Sequence, residues 1–205
     1  MLSFETQIEQ TLDRIYNAKR WTKLIPRYAK IEINPKLFTE HLQLALKTAV
    51  QAIAVLPTNN NLLPIDEEKP FSAFAIIQKD EDMQAASRFF TMLAHATEND
   101  CTMGYLDENI TDVELNDMKE NVTEAEFFLF ALYYKGRGYS EQLASADKIN
   151  KIISELSNGN KKIVIFFGDP YIAEEINADV KIMAYSDSFA SLAAGVMLLA
   201  GRKME

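Results

Sequence analysis

The sequence predicts an α/β protein: a three-layer α/β/α sandwich around a mostly parallel sheet of five or six strands, preceded by a helix and a linker. Three observations carry this. Short apolar runs rich in Phe, Ile, Val and Tyr recur at 71–78, 102–106, 127–134, 162–167 and 180–185, each too short for a core helix. Between them lie segments whose apolar residues step by three and four, and strand–helix–strand alternation means a parallel sheet. The run 127–132 is apolar at every position, so both faces of the sheet must be covered.

The elements follow in order. Phe4, Ile8, Leu12 and Ile15 share one helical face over 3–19, with Ser3 as N-cap and Glu5 and Glu9 near the positive helix end. Residues 21–33, interrupted by Pro26, have no clean period and read as a connecting arm; Asn34 and Pro35 then form a cap and first turn. Leu42, Leu46, Ala49, Ile53 and Leu56 predict a helix over 35–56, stopped by Pro57. After the turn cluster 58–61 and the segment 62–65, helices are expected at 81–96 (Met83, Ala86, Phe90, Leu93) and at 112–121, behind a Thr111-x-x-Glu114 capping box. Further helices are expected at 141–156 (Ala146, Ile149, Ile153, Leu156) and 188–200 (Phe189, Leu192, Val196, Leu199), with a short turn near Ala173 and Gly201 past the last helix. The division is residues 1–34 as helix and linker and 35–205 as the sandwich.

Composition sets the limits. The 205 residues, at roughly 150 per domain, suit one domain with an extra segment. Hydrophobic residues make up 48% and charged residues 25%, with 7 Gly and 6 Pro, which excludes disordered and collagenous classes. Lys and Arg total 21 against 30 Asp and Glu, a net charge of −9, so neither nucleic acid nor an anionic membrane is an expected partner. The lone Cys101 forms no intramolecular disulfide and offers no zinc site, so no metal or cofactor is expected. The chain opens on no signal-like segment and contains no apolar run of about 18 residues.

In parallel sheets ligands sit at the carboxyl ends of strands. The third strand ends in Lys135-Gly136-Arg137-Gly138-Tyr139, the fourth in Phe167-Gly168-Asp169-Pro170-Tyr171, and the fifth in Tyr185-Ser186-Asp187-Ser188. Gly136-Arg137-Gly138 lacks the third glycine of a dinucleotide loop, Glu141 standing in its place. That loop is a glycine-permitted turn, or it presents Lys135 and Arg137 to an anionic or polar partner. Asp169, before Pro170, is first a turn residue, and Asp187 or Ser186 is expected to cap the last helix. His41 and His95 fall within helices without a second ligand at useful spacing, and Cys101 reads as a small buried hydrophobe. No Gly-x-Ser-x-Gly elbow occurs, and the acidic residues, Glu81 and Asp82 among them, read as solvated helix faces.

The order of pieces resembles family 3 glycoside hydrolases. The segment Leu12-Asp-Arg-Ile-Tyr-Asn-Ala-Lys19, the helix from Glu40-His-Leu-Gln-Leu-Ala45 to Ala52, and Asn61-Leu-Leu-Pro-Ile65 are similar to that family's junction between its two domains. Ile163-Val-Ile-Phe-Phe-Gly-Asp-Pro-Tyr171 and Ala184-Tyr-Ser-Asp187 look like its strand-to-loop signatures, and the likeness extends over nearly the whole chain. It implies a carboxyl-side α/β sandwich domain whose partner, a (β/α)8 barrel of about 250 residues, carries the aspartate nucleophile. Retaining hydrolysis needs two carboxyl groups about 5 to 5.5 Å apart, so the chain alone is expected to be inactive and no catalytic residue is assigned to it.

In the β-glucosidase-like branch a glutamate of this domain serves as acid/base, whereas in the β-N-acetylhexosaminidase-like branch the barrel supplies an Asp-His pair. No glutamate here fits the first pattern, which favours the second. The resemblance makes a carbohydrate the substrate, places Arg137 and Asp169 as substrate-facing groups, and suggests a periplasmic or cell-envelope setting. One departure is the ending Gly201-Arg-Lys-Met-Glu205, where the family continues through a Gly-x-Leu-Pro-like segment. With the barrel absent, Phe4, Ile8, Leu12 and Ile15 represent about 6 to 12 kcal/mol of unrealised burial, so a homodimer through this helix is expected. The alternatives are a stand-alone flavodoxin-like or receiver-like module binding a small anion or protein partner, and a small intact enzyme.

Overall fold

The computed structural model describes residues 4–21, 35–56, 61–66, 68–97, 101–122, 125–136 and 139–202. The expected cap Ser3, the arm from 22 to 33, Asn34, most of the turn cluster 58–61 and Arg137 lie outside the described residues. The chain divides into two compact units, residues 1–39 and 40–205. In the first, helix α1 (Phe4–Trp21) carries Ile8, Leu12 and Ile15 on its surface, 45%, 60% and 48% exposed, with Lys19 and Arg20 at its negative end. Helix α2 (Pro35–Ala52) starts at its proline, whose missing N–H costs nothing in a first turn.

Helix α2 stops four residues short of the expected end. Ile53 N–H still donates to Ala49 O at 3.0 Å, but Ala54 and Val55 form strand β1 (Ala54–Val55), antiparallel to β6 (Val180–Met183), and Leu56 N–H donates to Lys181 O at 2.9 Å. Two paired residues before a proline leave no periodic trace in a sequence. The remaining strands are β2 (Phe71–Ile77), β3 (Thr102–Asp107), β4 (Phe127–Tyr133) and β5 (Lys161–Phe166), and the six-stranded sheet runs β1-β6-β5-β4-β2-β3. Every pairing but β1–β6 is parallel.

Two cores form, one on each face of the sheet. Helices α3 (Asp82–Thr97) and α6 (Phe189–Leu199) cover one, where Phe89 meets Phe167 edge-on at 5.0 Å and Tyr133 stacks on Phe167 at 5.1 Å. Helices α4 (Asp112–Asn121) and α5 (Tyr139–Ser157), with a 3-10 turn (Pro170–Glu174), cover the other, where Phe74 stacks on Phe130 at 6.0 Å. Strands β2 and β4 are buried at all seven positions, as their unbroken apolar runs require.

The capping box at α4 is present: Glu114 N–H donates to Thr111 Oγ1 at 3.3 Å, and Thr111 N–H donates to Glu114 Oε2 at 2.9 Å. The exchange also holds the Glu114 carboxyl below its ordinary range. Thr111→Ala removes the cap of a helix that buries Leu115 and is expected to cost about 1 kcal/mol, read from the urea midpoint.

A candidate site at the switch point of the sheet

Strand order reverses between β2 and β4. The connection leaving β2 crosses to the α3 face, and that leaving β4 crosses to the α5 face, so the two loops part and open a crevice at the strand ends. Lys135 spans it. Its backbone N–H donates to Gln78 Oε1 at 3.0 Å, just past β2, while Gln78 Nε2 donates to Glu108 Oε2 at 3.0 Å. Its ammonium donates to Asp82 Oδ1 at 2.8 Å and lies 3.3 Å from Asp187 Oδ2 and 3.6 Å from Glu81 Oε1.

Burial distinguishes these partners. The Asp82 side chain is 1% exposed, whereas Asp187 and Glu81 are 37% and 66% exposed. A buried carboxylate is tolerable only beside a cation, and Lys135 is that cation. The hydrogen bond to Asp82 holds the Lys135 ammonium above the ordinary lysine range. Below it, burial first, then the charges of Asp187 and Asp82, pushes the Tyr133 phenol well above its ordinary value. Tyr133 is thus a neutral hydroxyl, buried in the core that α3 and α6 cover. Among the described residues the buried atoms without a hydrogen-bond partner include Asp82 Oδ2, Tyr133 OH and, on β2, Ser72 Oγ.

The loop after β5 packs beside it. Gly168 has φ +148°, and a Cβ there would stand 2.0 Å from Tyr134 O, the carbonyl that accepts the Asp169 N–H at 2.8 Å. Asp169 Oδ1 accepts Tyr171 N–H at 2.9 Å and caps the 3-10 turn, while a Cβ on Gly136 would meet Asp169 Oδ2 at 2.1 Å. Asp169 therefore fills the turn role its sequence context indicates, and it lies against the loop that leads to Arg137.

The end of β6 differs from expectation. Ser188, not Asp187 or Ser186, caps α6, accepting Ser191 N–H at 3.4 Å, and Ser186 Oγ accepts Ser188 N–H at 3.0 Å. Asp187 is left to reach Lys135. Tyr185 adopts φ +63° in a three-residue turn closed by Ser186 N–H and Ala184 O at 2.8 Å, a conformation rare outside glycine and often kept at recognition loops. Its ring is exposed.

Other candidates stay apart. His41 and His95 are exposed on their helices, and Cys101 is half-buried beside the core rather than enclosed by it. Among the described residues no cluster of His, Cys, Asp and Glu is arranged to hold a metal, and no helix is long and apolar enough to cross a membrane. Asp82 and Tyr133 were not legible as site residues. Asp82 sits in an acidic pair at a helix start, the pattern of a solvated face, and Tyr133 in an unbroken core strand.

No protein-family profile matches the sequence, and no curated protein matches it. Solved structures do. A family 3 β-N-acetylglucosaminidase from Paenibacillus superposes on 99% of this chain with a TM-score of 0.70 at 14% identity. The fold is one found in family 3 glycoside hydrolases. A fungal multi-domain family 3 β-N-acetylglucosaminidase matches over 97% with a TM-score of 0.62 and 16% identity, and a β-glucosidase from Listeria innocua over 86% with 0.58 and 14%. The chain spans 38%, 22% and 27% of those three proteins. The family resemblance carried by the Phe-Gly-Asp-Pro-Tyr and Ala-Tyr-Ser-Asp segments is therefore matched at the level of the fold, as are the α/β sandwich and its mostly parallel sheet.

Proposed function

We propose that this chain is the non-catalytic, carboxyl-side domain of a family 3 glycosidase, forming one wall of the sugar site when joined to a (β/α)8 barrel. The observation that carries it is the pair of coverages: the Paenibacillus β-N-acetylglucosaminidase superposes on 99% of this chain, which spans only 38% of that enzyme. The parent hydrolyses O-glycosyl bonds of β-N-acetylhexosaminides, with β-glucosides as the second substrate class; the higher TM-scores of the two β-N-acetylglucosaminidases, 0.70 and 0.62 against 0.58, favour that order.

The strand-end carboxylates suit a wall rather than a catalytic pair. Asp82 and Asp187 are held on Lys135 and Asp169 caps its own turn, so each has a role in the fold itself. Arg137 and Asp169 remain the sugar-facing candidates of the sequence. The binding-module alternative is disfavoured by charge: the crevice where such a module takes its anion places the carboxylates Glu81, Asp82 and Asp187 within 4 Å of the Lys135 ammonium.

Two measurements test the proposal. The purified chain is expected to leave aryl β-N-acetylglucosaminides and aryl β-glucosides intact, and the genomic sequence upstream of Met1 is expected to hold an open frame of about 350 residues containing a barrel pattern. Steady turnover by the chain alone overturns it. The exposed Ile8, Leu12 and Ile15 stripe of α1 is the face offered to the barrel and, in its absence, to a second copy. Light scattering is then expected to give a dimer that Leu12→Asp with Ile15→Asp converts to monomer; a monomeric parent chain contradicts this.

A further inference from the structure

Helix α6 is uncharged on every side. None of its eleven residues carries a charged side chain, and a helix apolar all round is ordinarily covered all round. The sheet side takes Leu192, Val196 and Leu199 into the core, yet Phe189 is 59% exposed and Ala193 and Met197 are only half-buried. Helix α3 packs beside α6, and two hollows open along the pair. One, of about 350 Å³, has Arg88, Met92 and Phe189 in its lining; the other, of about 260 Å³, has Met92, Met197, His95 and Arg202. Met92 belongs to both, so they form one groove. No carboxylate lines it, although the chain as a whole has a net charge of −9. Two arginines and a histidine stand along an apolar floor.

Helix α1 has the complementary character. Ile8, Leu12 and Ile15 lie exposed in a row, and Glu5, Glu9 and Asp13, four residues apart, follow one side of that row. We propose that the α3–α6 groove is the seat for α1 of a second copy, the two copies exchanging this helix reciprocally about a twofold axis. The methionine floor adapts to the branched side chains of the stripe, and the cations face its acidic flank. The lengths agree: at 1.5 Å per residue, Arg88 to His95 is about 10.5 Å along α3 and Glu5 to Asp13 about 12 Å along α1. Packing α1 on α1 instead would cover the stripe but leave the outer side of α6 bare. Reciprocal exchange buries both and closes the assembly at two copies. The inference rests on the reading of α1 as unpartnered when the barrel is absent, and adds the surface that receives it.

A charge exchange tests it, with the dimer dissociation constant of the 205-residue chain read by analytical ultracentrifugation. Arg88→Glu with His95→Glu in the groove, and Glu9→Lys with Asp13→Lys on α1, each set like charges across the seat. Each pair is expected to weaken the dimer at least about tenfold. The chain carrying all four substitutions is expected to return to within about threefold of the wild type, a recovery that mere damage to the fold does not produce. All four side chains are exposed, so the variants keep the core intact. A second readout is the methyl NMR signals of Met92 and Met197, expected to shift as the wild type is concentrated and to hold still in Leu12→Asp with Ile15→Asp.

A dimer indifferent to Arg88→Glu with His95→Glu overturns the proposal and places the α1 stripe against another surface, its own counterpart in the second copy included. So does a fourfold variant that stays dissociated, a chain that remains monomeric at every concentration, or a dimer whose Met92 and Met197 signals never move. None of these results touches the wall reading, which the upstream frame and the absence of turnover decide. Turnover by the chain alone would overturn that reading and leave the groove standing.

Discussion

Gly168→Ala is expected to destabilise the protein by about 3 to 5 kcal/mol, among the largest single effects available outside the hydrophobic core. Two costs add at one atom. The backbone has φ +148°, which side-chain-bearing residues rarely adopt, and the added Cβ would stand 2.0 Å from Tyr134 O. Relief by a rotamer change is closed off, because the obstacle is backbone. Moving that carbonyl breaks its hydrogen bond from Asp169 N–H and shifts the strand end that carries Lys135. Gly159 is the internal comparison: φ is +85° but nothing lies within 4 Å of where an added methyl would stand, so Gly159→Ala is expected to cost only about 1 kcal/mol. Urea denaturation of both variants separates the steric contribution from the conformational one. If Gly168→Ala lies within about 1 kcal/mol of Gly159→Ala, the close approach of the β4 and β5 loops is wrong.

The layout of the sandwich was legible because its signals are long and redundant. Seven consecutive buried positions in β4 leave an uninterrupted apolar run, and the four-residue box at Thr111 and Glu114 marks a helix start by chemistry that neighbours in sequence can supply alone. Strand β1 escaped because two residues cannot display a period, and its pairing partner Met183 lies far along the chain. The candidate site was half legible for the same reason. Rules about strand ends led to Lys135, Asp169 and Asp187, but the burial of Asp82 depends on the crossover of α3, and no local pattern distinguishes it from the exposed Glu81 next to it. Asp187 was misassigned as a cap because Ser186, Asp187 and Ser188 are all competent cap residues, and the choice among them is made by the ammonium across the crevice.

That ammonium is the second large effect. Lys135→Met is expected to cost about 2 to 3 kcal/mol, because it strands a carboxylate that is 1% exposed. Breaking a fully buried pair costs about 3 to 5 kcal/mol, and the discount reflects water reaching the half-exposed lysine. Lys161 and Asp179 meet at the same 2.8 Å, yet their side chains are 55% and 20% exposed, so Lys161→Met is expected to cost under about 1 kcal/mol. Burial, not distance, decides between the two pairs. Adding Asp82→Asn to Lys135→Met removes the stranded charge and is expected to recover about 1 to 2 kcal/mol, a coupling that a double-mutant cycle in urea reads directly.

The pH dependence has a fixed sign. Asp82 raises the Lys135 ammonium above its ordinary 10.5, so the stabilisation is complete below that value and is lost as pH climbs through the higher folded-state value. The gap between wild type and Lys135→Met should therefore stay constant from about pH 7 to 9 and narrow only in stronger alkali. A gap that closes between about pH 7 and 9 would mean that Lys135 titrates early and does not neutralise Asp82 in the folded state.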